Sequence, residues 1–172
     1  MNRQRFLRVG ITLCGAAFVQ ACGFKLRGTQ TFAFETIAVE ANPAGAVAAE
    51  LRKALGSQLF VASTGGVAGA AAPAAQVTMD ILQELRERAV AGVNAAGQVR
   101  ELQLRIRVKF RLRNARGKDL IEETEILQQR DISFSESAVL AKEVEEALLY
   151  KNMQADIVQQ LLRRLAAVKS IT

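Results

Sequence analysis

Histidine and tryptophan are absent from this 172-residue chain, tyrosine occurs once, and proline and cysteine occur twice each. Without histidine there is no imidazole acid–base chemistry near neutral pH, no serine triad of the usual composition and little prospect of a zinc site. No Ser-x-x-Lys follows residue 21 and no Gly-x-Ser-x-Gly occurs, so two further nucleophile signatures are missing. Aromatic residues make up 5 % of the chain, too few to build a stacking platform for bases. The expectation is a protein that is not an enzyme, needs no cofactor or metal, and has no nucleic-acid partner.

What is present is apolar and basic. Half the residues are hydrophobic and the formal charge is +6. Length and composition allow one domain with a substantial core. Three of the cations, Arg3, Arg5 and Arg8, fall in residues 1–21, a basic start followed by an apolar run too short to span a bilayer, the anatomy of a cleaved secretory leader. Removing them from the 23 basic residues leaves 20 against 17 acids, an ordinary surface balance.

Cys14 belongs to that leader, so Cys22 has no internal disulfide partner in the mature chain. Val19-Gln20-Ala21-Cys22-Gly23 resembles a bacterial lipobox, with Gln20 where a small residue is commoner. In such a motif the thiol receives a diacylglyceryl group and the freed amine is acylated. The acyl chains contribute about 0.8 kcal/mol per buried methylene, enough for tethering without a transmembrane helix. Gly23 after the cysteine resembles sorting to the outer membrane. The alternative is an ordinary leader with a cysteine that happens to follow Ala21. The expected division is a leader at 1–21, a lipidated tether at 22–30 and a single domain at 31–172.

Within that domain, residues 32–40 are aromatic and β-branched and read as a first strand. Asn42-Pro43 offers a helix cap, and Val47, Leu51, Leu55 and Leu59 place an apolar ridge on a first helix. Residues 60–75, rich in Ala, Gly and Ser, read as an exposed loop. Val77, Met79 and Ile81 alternate as a strand, but Leu82 and Leu85 break the phase; a bulge accounts for this, with a helix as far as Arg88 as the competitor. Residues 102–113 alternate strictly: Leu102, Leu104, Ile106, Val108, Phe110 and Leu112 against Gln103, Arg105, Arg107, Lys109, Arg111 and Arg113. Turns at residues 94–97 and 114–117 make an antiparallel meander with the strand over residues 120–134.

Residues 139–168 read as a long helix. Val144, Leu148, Ala155, Val158, Leu162 and Leu165 share a face, widened by Leu149, Met153, Ile157 and Leu161, and so wide a stripe calls for a cover. The order β-α-β-β-β-α predicts an α+β two-layer sandwich, two helices on one face of a four-stranded, mostly antiparallel sheet.

Directly after the lipobox cysteine stands Gly23-Phe24-Lys25-Leu26-Arg27-Gly28, and the last helix opens on Ala138-Val139-Leu140-Ala141-Lys142-Glu143. Both stretches resemble the lipopolysaccharide-assembly lipoproteins of the LptE (RlpB) family, and the element order resembles that family from Cys22 to Val168. The resemblance implies an outer-membrane lipoprotein that sits in the lumen of the LptD β-barrel, helps it assemble and assists placement of lipopolysaccharide in the outer leaflet. It also assigns Lys142 a lipopolysaccharide contact. At the hairpin tip where the family carries an arginine, alignment on Gly97-Gln98 and Glu101 places Ala95, which leaves Arg100 on the outgoing strand as the candidate replacement.

Arg105, Arg107, Lys109, Arg111 and Arg113 form a row about 6.8 Å apart on the face away from the helices. Such a row suits phosphates, and Arg105, Arg107 and Lys109 join Lys142 and Arg100 as lipopolysaccharide-binding candidates. Equally, Glu122, Glu123 or Glu125 on the next strand can neutralise it. A rival function is a lipoprotein that shuttles or binds an anionic amphiphile without a barrel, which requires an apolar pocket of its own.

Overall fold

The strictly alternating stretch forms an interior strand of the sheet, paired on both sides. In the computed structural model, which describes residues 30–41, 45–57, 59–62, 74–135 and 139–171, the elements run β1 (Thr36–Ala41), α1 (Ala46–Leu55), β2 (Phe60–Ala62), β3 (Val77–Val93), β4 (Val99–Asn114), β5 (Asp119–Ser133) and α2 (Val139–Ala166). Leu104, Ile106, Val108, Phe110 and Leu112 of β4 are fully buried against the helix layer, as period-two alternation requires. The architecture is the expected α+β sandwich, with β3, β4 and β5 antiparallel and β1 parallel to β3.

One strand is added. Phe60–Ala62, the first residues of the expected loop, pair in parallel with β1, so the sheet order is β2-β1-β3-β4-β5. The remainder of that Ala/Gly-rich stretch, 63–73, lies outside the described residues.

The phase break in β3 is a bulge, and the strand continues through Arg88 without becoming helix. Ile81 pairs with Phe110 and Gln83 with Lys109, so Leu82 is the extra residue. A bulge inverts the faces of everything downstream. Before it, Val77, Met79 and Ile81 point into the core; after it, Glu84, Arg86 and Arg88 lie opposite Val108, Ile106 and Leu104 on the helix side.

That inversion also starts α1. The helix spans Ala46–Leu55 with Gly45 as N-cap, the expected start at Asn42-Pro43 lies outside the described residues, and Gly45 has no side chain to cap with. Both carboxylate oxygens of Glu84 instead accept the Val47 N–H, at 3.1 and 3.2 Å, which puts an anion at the positive helix end. A Cβ on Gly45 would stand 1.8 Å from Glu84 Oε2, so any side chain there would displace the carboxylate from the helix terminus. At the other end the helix stops at Leu55, and Leu59, expected on its ridge, packs partly buried against the core just beyond it.

Both hairpins use one local device. Asn94 and Asn114 each accept two backbone N–H groups on Oδ1. Gly97 and Gly117 take φ of 78° and 81° to close the turns, a region that favours glycine. Asn114 also donates to the Ile171 carbonyl at 3.1 Å, tying the segment after α2 to the sheet.

The long helix departs from expectation over its first half. Met153, Ile157, Leu161 and Leu165 are fully buried, with Val158 and Leu162 almost so. Val144 and Leu148, expected on the covered face, are 72 % and 57 % exposed, and Leu140 is 79 % exposed. Helix α1 packs against α2. At the usual rise per residue, however, α1 is about 15 Å long and α2 about 42 Å, so one part of the stripe is left without a neighbouring helix. Among the described residues no helix is long and apolar enough to cross a membrane.

Candidate functional site

The basic row lies on the open face of the sheet, and four of its five members meet carboxylates of the flanking strands. Arg107 pairs with Glu125 of β5 at 2.8 Å and with Glu87 of β3 at 3.9 Å, and Lys109 approaches Glu123 at 3.9 Å. The acids of β5 therefore act partly as expected, but the strongest neutralisation comes from β3.

Asp80, 6 % exposed, receives Arg111 Nε at 2.7 Å and Arg113 through Nε at 2.8 Å and Nη2 at 3.0 Å. Burial alone would raise its carboxyl, but hydrogen bonds and charge from Arg113 and Arg111 outweigh that and hold it below the usual carboxylate range. The same contacts raise Arg113. Asp80 escaped the sequence reading because it is a polar residue in a strand whose neighbours Met79 and Ile81 face the core. Its register opposite Arg111 was the missing information. An open cleft of about 530 Å³ adjoins this clamp, with Arg52 of α1 beside it donating to the Val39 carbonyl.

Of the binding candidates, Arg105 is the member of the row without a carboxylate partner among the described residues; its guanidinium donates to the Gln103 amide oxygen. Lys142 sits elsewhere, near the start of α2 on the opposite side of the sheet, donating to Ser133 Oγ at 2.9 Å and Glu145 Oε2 at 2.8 Å. Arg100 lies at the same end, since its carbonyl accepts the Phe134 N–H next to Ser133, and its guanidinium donates to Gln98 at 3.2 Å. Thus Lys142 and Arg100 share one end of the molecule, whereas Arg105, Arg107 and Lys109 belong to another face. Cys22 lies outside the described residues.

Sequence reasoning also missed the layer between α2 and the far half of β3. Arg88 pairs with Glu146 at 3.6 Å. Its guanidinium carbon lies 5.8 Å from the Phe134 ring centroid, and that of Arg86 lies 5.5 Å from the Tyr150 centroid, both within cation–π range. The Tyr150 hydroxyl donates to the Glu87 carbonyl at 2.9 Å, and burial is the first cause of its raised pKa. The signal was the bulge: once Leu82 is skipped, Arg86 and Arg88 fall on the helix side.

Among the described residues no group of three or more carboxylates or other metal-binding side chains is placed to hold a metal ion. A two-layer wedge with charge neutralised on one face, and an uncovered apolar ridge on its long helix, defines a binding or assembly module. The model of the LptE lipopolysaccharide-assembly family matches residues 34–165, and the chain belongs to that family.

Solved structures share the architecture. The chain is similar to an uncharacterized lipoprotein B from Nitrosomonas europaea (32 % identity, TM-score 0.70, covering 84 % of this chain and 91 % of the other). It has the fold of rare lipoprotein B from Shewanella oneidensis (20 %, 0.62, 77 % and 94 %) and of a minor lipoprotein from Acinetobacter baumannii (16 %, 0.59, 80 % and 94 %). Comparison with curated protein sequences gives no match.

Proposed function

We propose that this protein is an outer-membrane lipoprotein, tethered through acylated Cys22, that complexes with an LptD-type β-barrel, plugs its lumen, assists its assembly and helps place lipopolysaccharide in the outer leaflet. The observation that carries the reading is the family match over residues 34–165. Such a role requires no bond to be made or broken, in keeping with a chain that lacks histidine. The ridge of Leu140, Val144 and Leu148 gives a barrel wall an apolar surface to cover.

Lys142 and Arg100, at one end of the wedge, are the residues we assign to lipopolysaccharide phosphates. Arg107 and Lys109 have carboxylates within reach to satisfy them, and Arg105 retains the stronger claim on an external anion. An amphiphile shuttle working without a barrel would need an enclosed apolar cavity, whereas the clefts beside Asp80 and beside Tyr150 are lined with charge.

The test is purification of the lipidated protein from detergent-solubilised outer membranes followed by mass spectrometry of what accompanies it. A stoichiometric large β-barrel is expected. Recovery of the lipoprotein alone under mild solubilisation would overturn the reading and favour the shuttle.

A further inference from the structure

We infer that the cleft between α2 and the far half of β3 is a binding site for a phosphate-type oxyanion, recognised by Arg86, Lys151 and Gln154. The cleft, about 330 Å³, is lined by Arg86 and Arg88 from the strand and by Tyr150, Lys151 and Gln154 from the helix. Its charged lining consists of three cations, Arg86, Arg88 and Lys151, against two carboxylates, Glu143 and Glu146, a surplus of one positive charge. Arg88 already serves Glu146.

Arg86 has no acceptor among the described residues. The Tyr150 ring holds its guanidinium by one face and leaves its N–H edges free to donate. The second observation is independent. Gln154, 8 % exposed, is one of three buried polar or charged residues among those described, and its Nε2 has no hydrogen-bond acceptor among them. A buried amide donor left unpaired bears its full desolvation cost, so its presence on a helix face otherwise filled with Met, Leu, Ile and Val points to an acceptor that arrives from outside.

Three unsatisfied groups are donors, the Arg86 fork, the Lys151 ammonium and the Gln154 amide, against one carboxylate of the lining without an ion-pair partner, Glu143. Tyr150 is held in place by its bond to the Glu87 carbonyl and supplies the platform on which the fork rests. A set in which donors predominate and the charge is positive, with a planar guanidinium among them, suits a tetrahedral oxyanion with several acceptor oxygens, as in a phosphate monoester. The bulge at Leu82 is what creates the site, because in the unshifted phase Arg86 would face the open side of the sheet. The inference is independent of the barrel reading, which can fail while this one stands.

The experiment is titration of the full lipidated chain, in non-ionic detergent micelles, with inorganic phosphate at constant ionic strength against chloride. The readouts are the Gln154 side-chain amide and Arg86 Nε resonances. Both should shift saturably, and Arg86→Gln and Gln154→Met should each weaken the fitted affinity about tenfold, the loss expected for one charge-assisted bond. Arg116→Gln, in the exposed β4–β5 turn, should leave it unchanged. Micelles doped with phosphatidic acid separate the sources: competition with phosphate assigns the site to a lipid headgroup, and no competition assigns it to the free anion. Resonances that stay still with both probes, or an equal loss in Arg116→Gln, would overturn the proposal.

Discussion

The two halves of α2 carry the same apolar stripe and meet opposite fates. Leu140 and Val158 are separated by about five full helical turns, as are Val144 and Leu162, so each pair projects from one side of the helix. Yet Leu140 and Val144 are 79 % and 72 % exposed, while Val158 and Leu162 are 2 % and 4 % exposed. Beneath the buried half the sheet offers apolar side chains such as Phe110 and Leu112; beneath the other, β3 after its bulge offers Arg86 and Arg88. The helix is one object by sequence and two by environment: a structural half that holds the domain together and an outer half that carries uncovered apolar surface and charge.

The comparison breaks most sharply under truncation. Leu162→Ala is expected to cost about 3 kcal/mol in chemical denaturation, from lost transfer energy and the cavity left behind. In the outer half, Val144→Ala should stay within about 0.5 kcal/mol. Equal losses at the two positions would mean that the halves are not distinct.

Next in size is Asp80→Asn, which leaves Arg111 and Arg113 without their shared anion beside the core. About 2 kcal/mol is expected, because both arginines retain access to water. Since the folded carboxyl lies below its ordinary value, its contribution is complete at neutral pH and fades as pH falls through the lowered folded value. The difference between wild type and variant should therefore shrink on acidification, which denaturation at pH 7 and at about pH 3 measures.

Gly45→Ala should cost about 1 kcal/mol by pushing Glu84 off the α1 terminus, read as a lower melting temperature. The smallest stability change, about 0.5 kcal/mol or less, is expected for Val144→Ser, but that variant should recover less of the large β-barrel on co-purification. Stable protein with undiminished barrel would remove the outer half of α2 from the proposed interface.

Much of this was legible beforehand. Strand β4 is readable because alternation is a local property with a period of two, and the turns at Asn94 and Asn114 because asparagine and glycine carry their own geometry. The bulge was legible as a broken phase at Leu82 and Leu85, although its consequence for Arg86 and Arg88 was not. Candidate residues fared unevenly: the row from Arg105 to Arg113 was correctly set on one strand face, but its principal neutraliser, Asp80, comes from a strand 31 to 33 positions earlier in the chain. The sequence by itself determined which residues are apolar at which period, hence the elements other than the short strand β2, their order and the motif at Cys22. Only the tertiary structure decided which half of the α2 stripe is covered, which side chain caps α1 and which carboxylate holds which arginine. Those outcomes depend on the relative lengths and register of elements far apart in the chain, which a periodicity confined to one element does not encode.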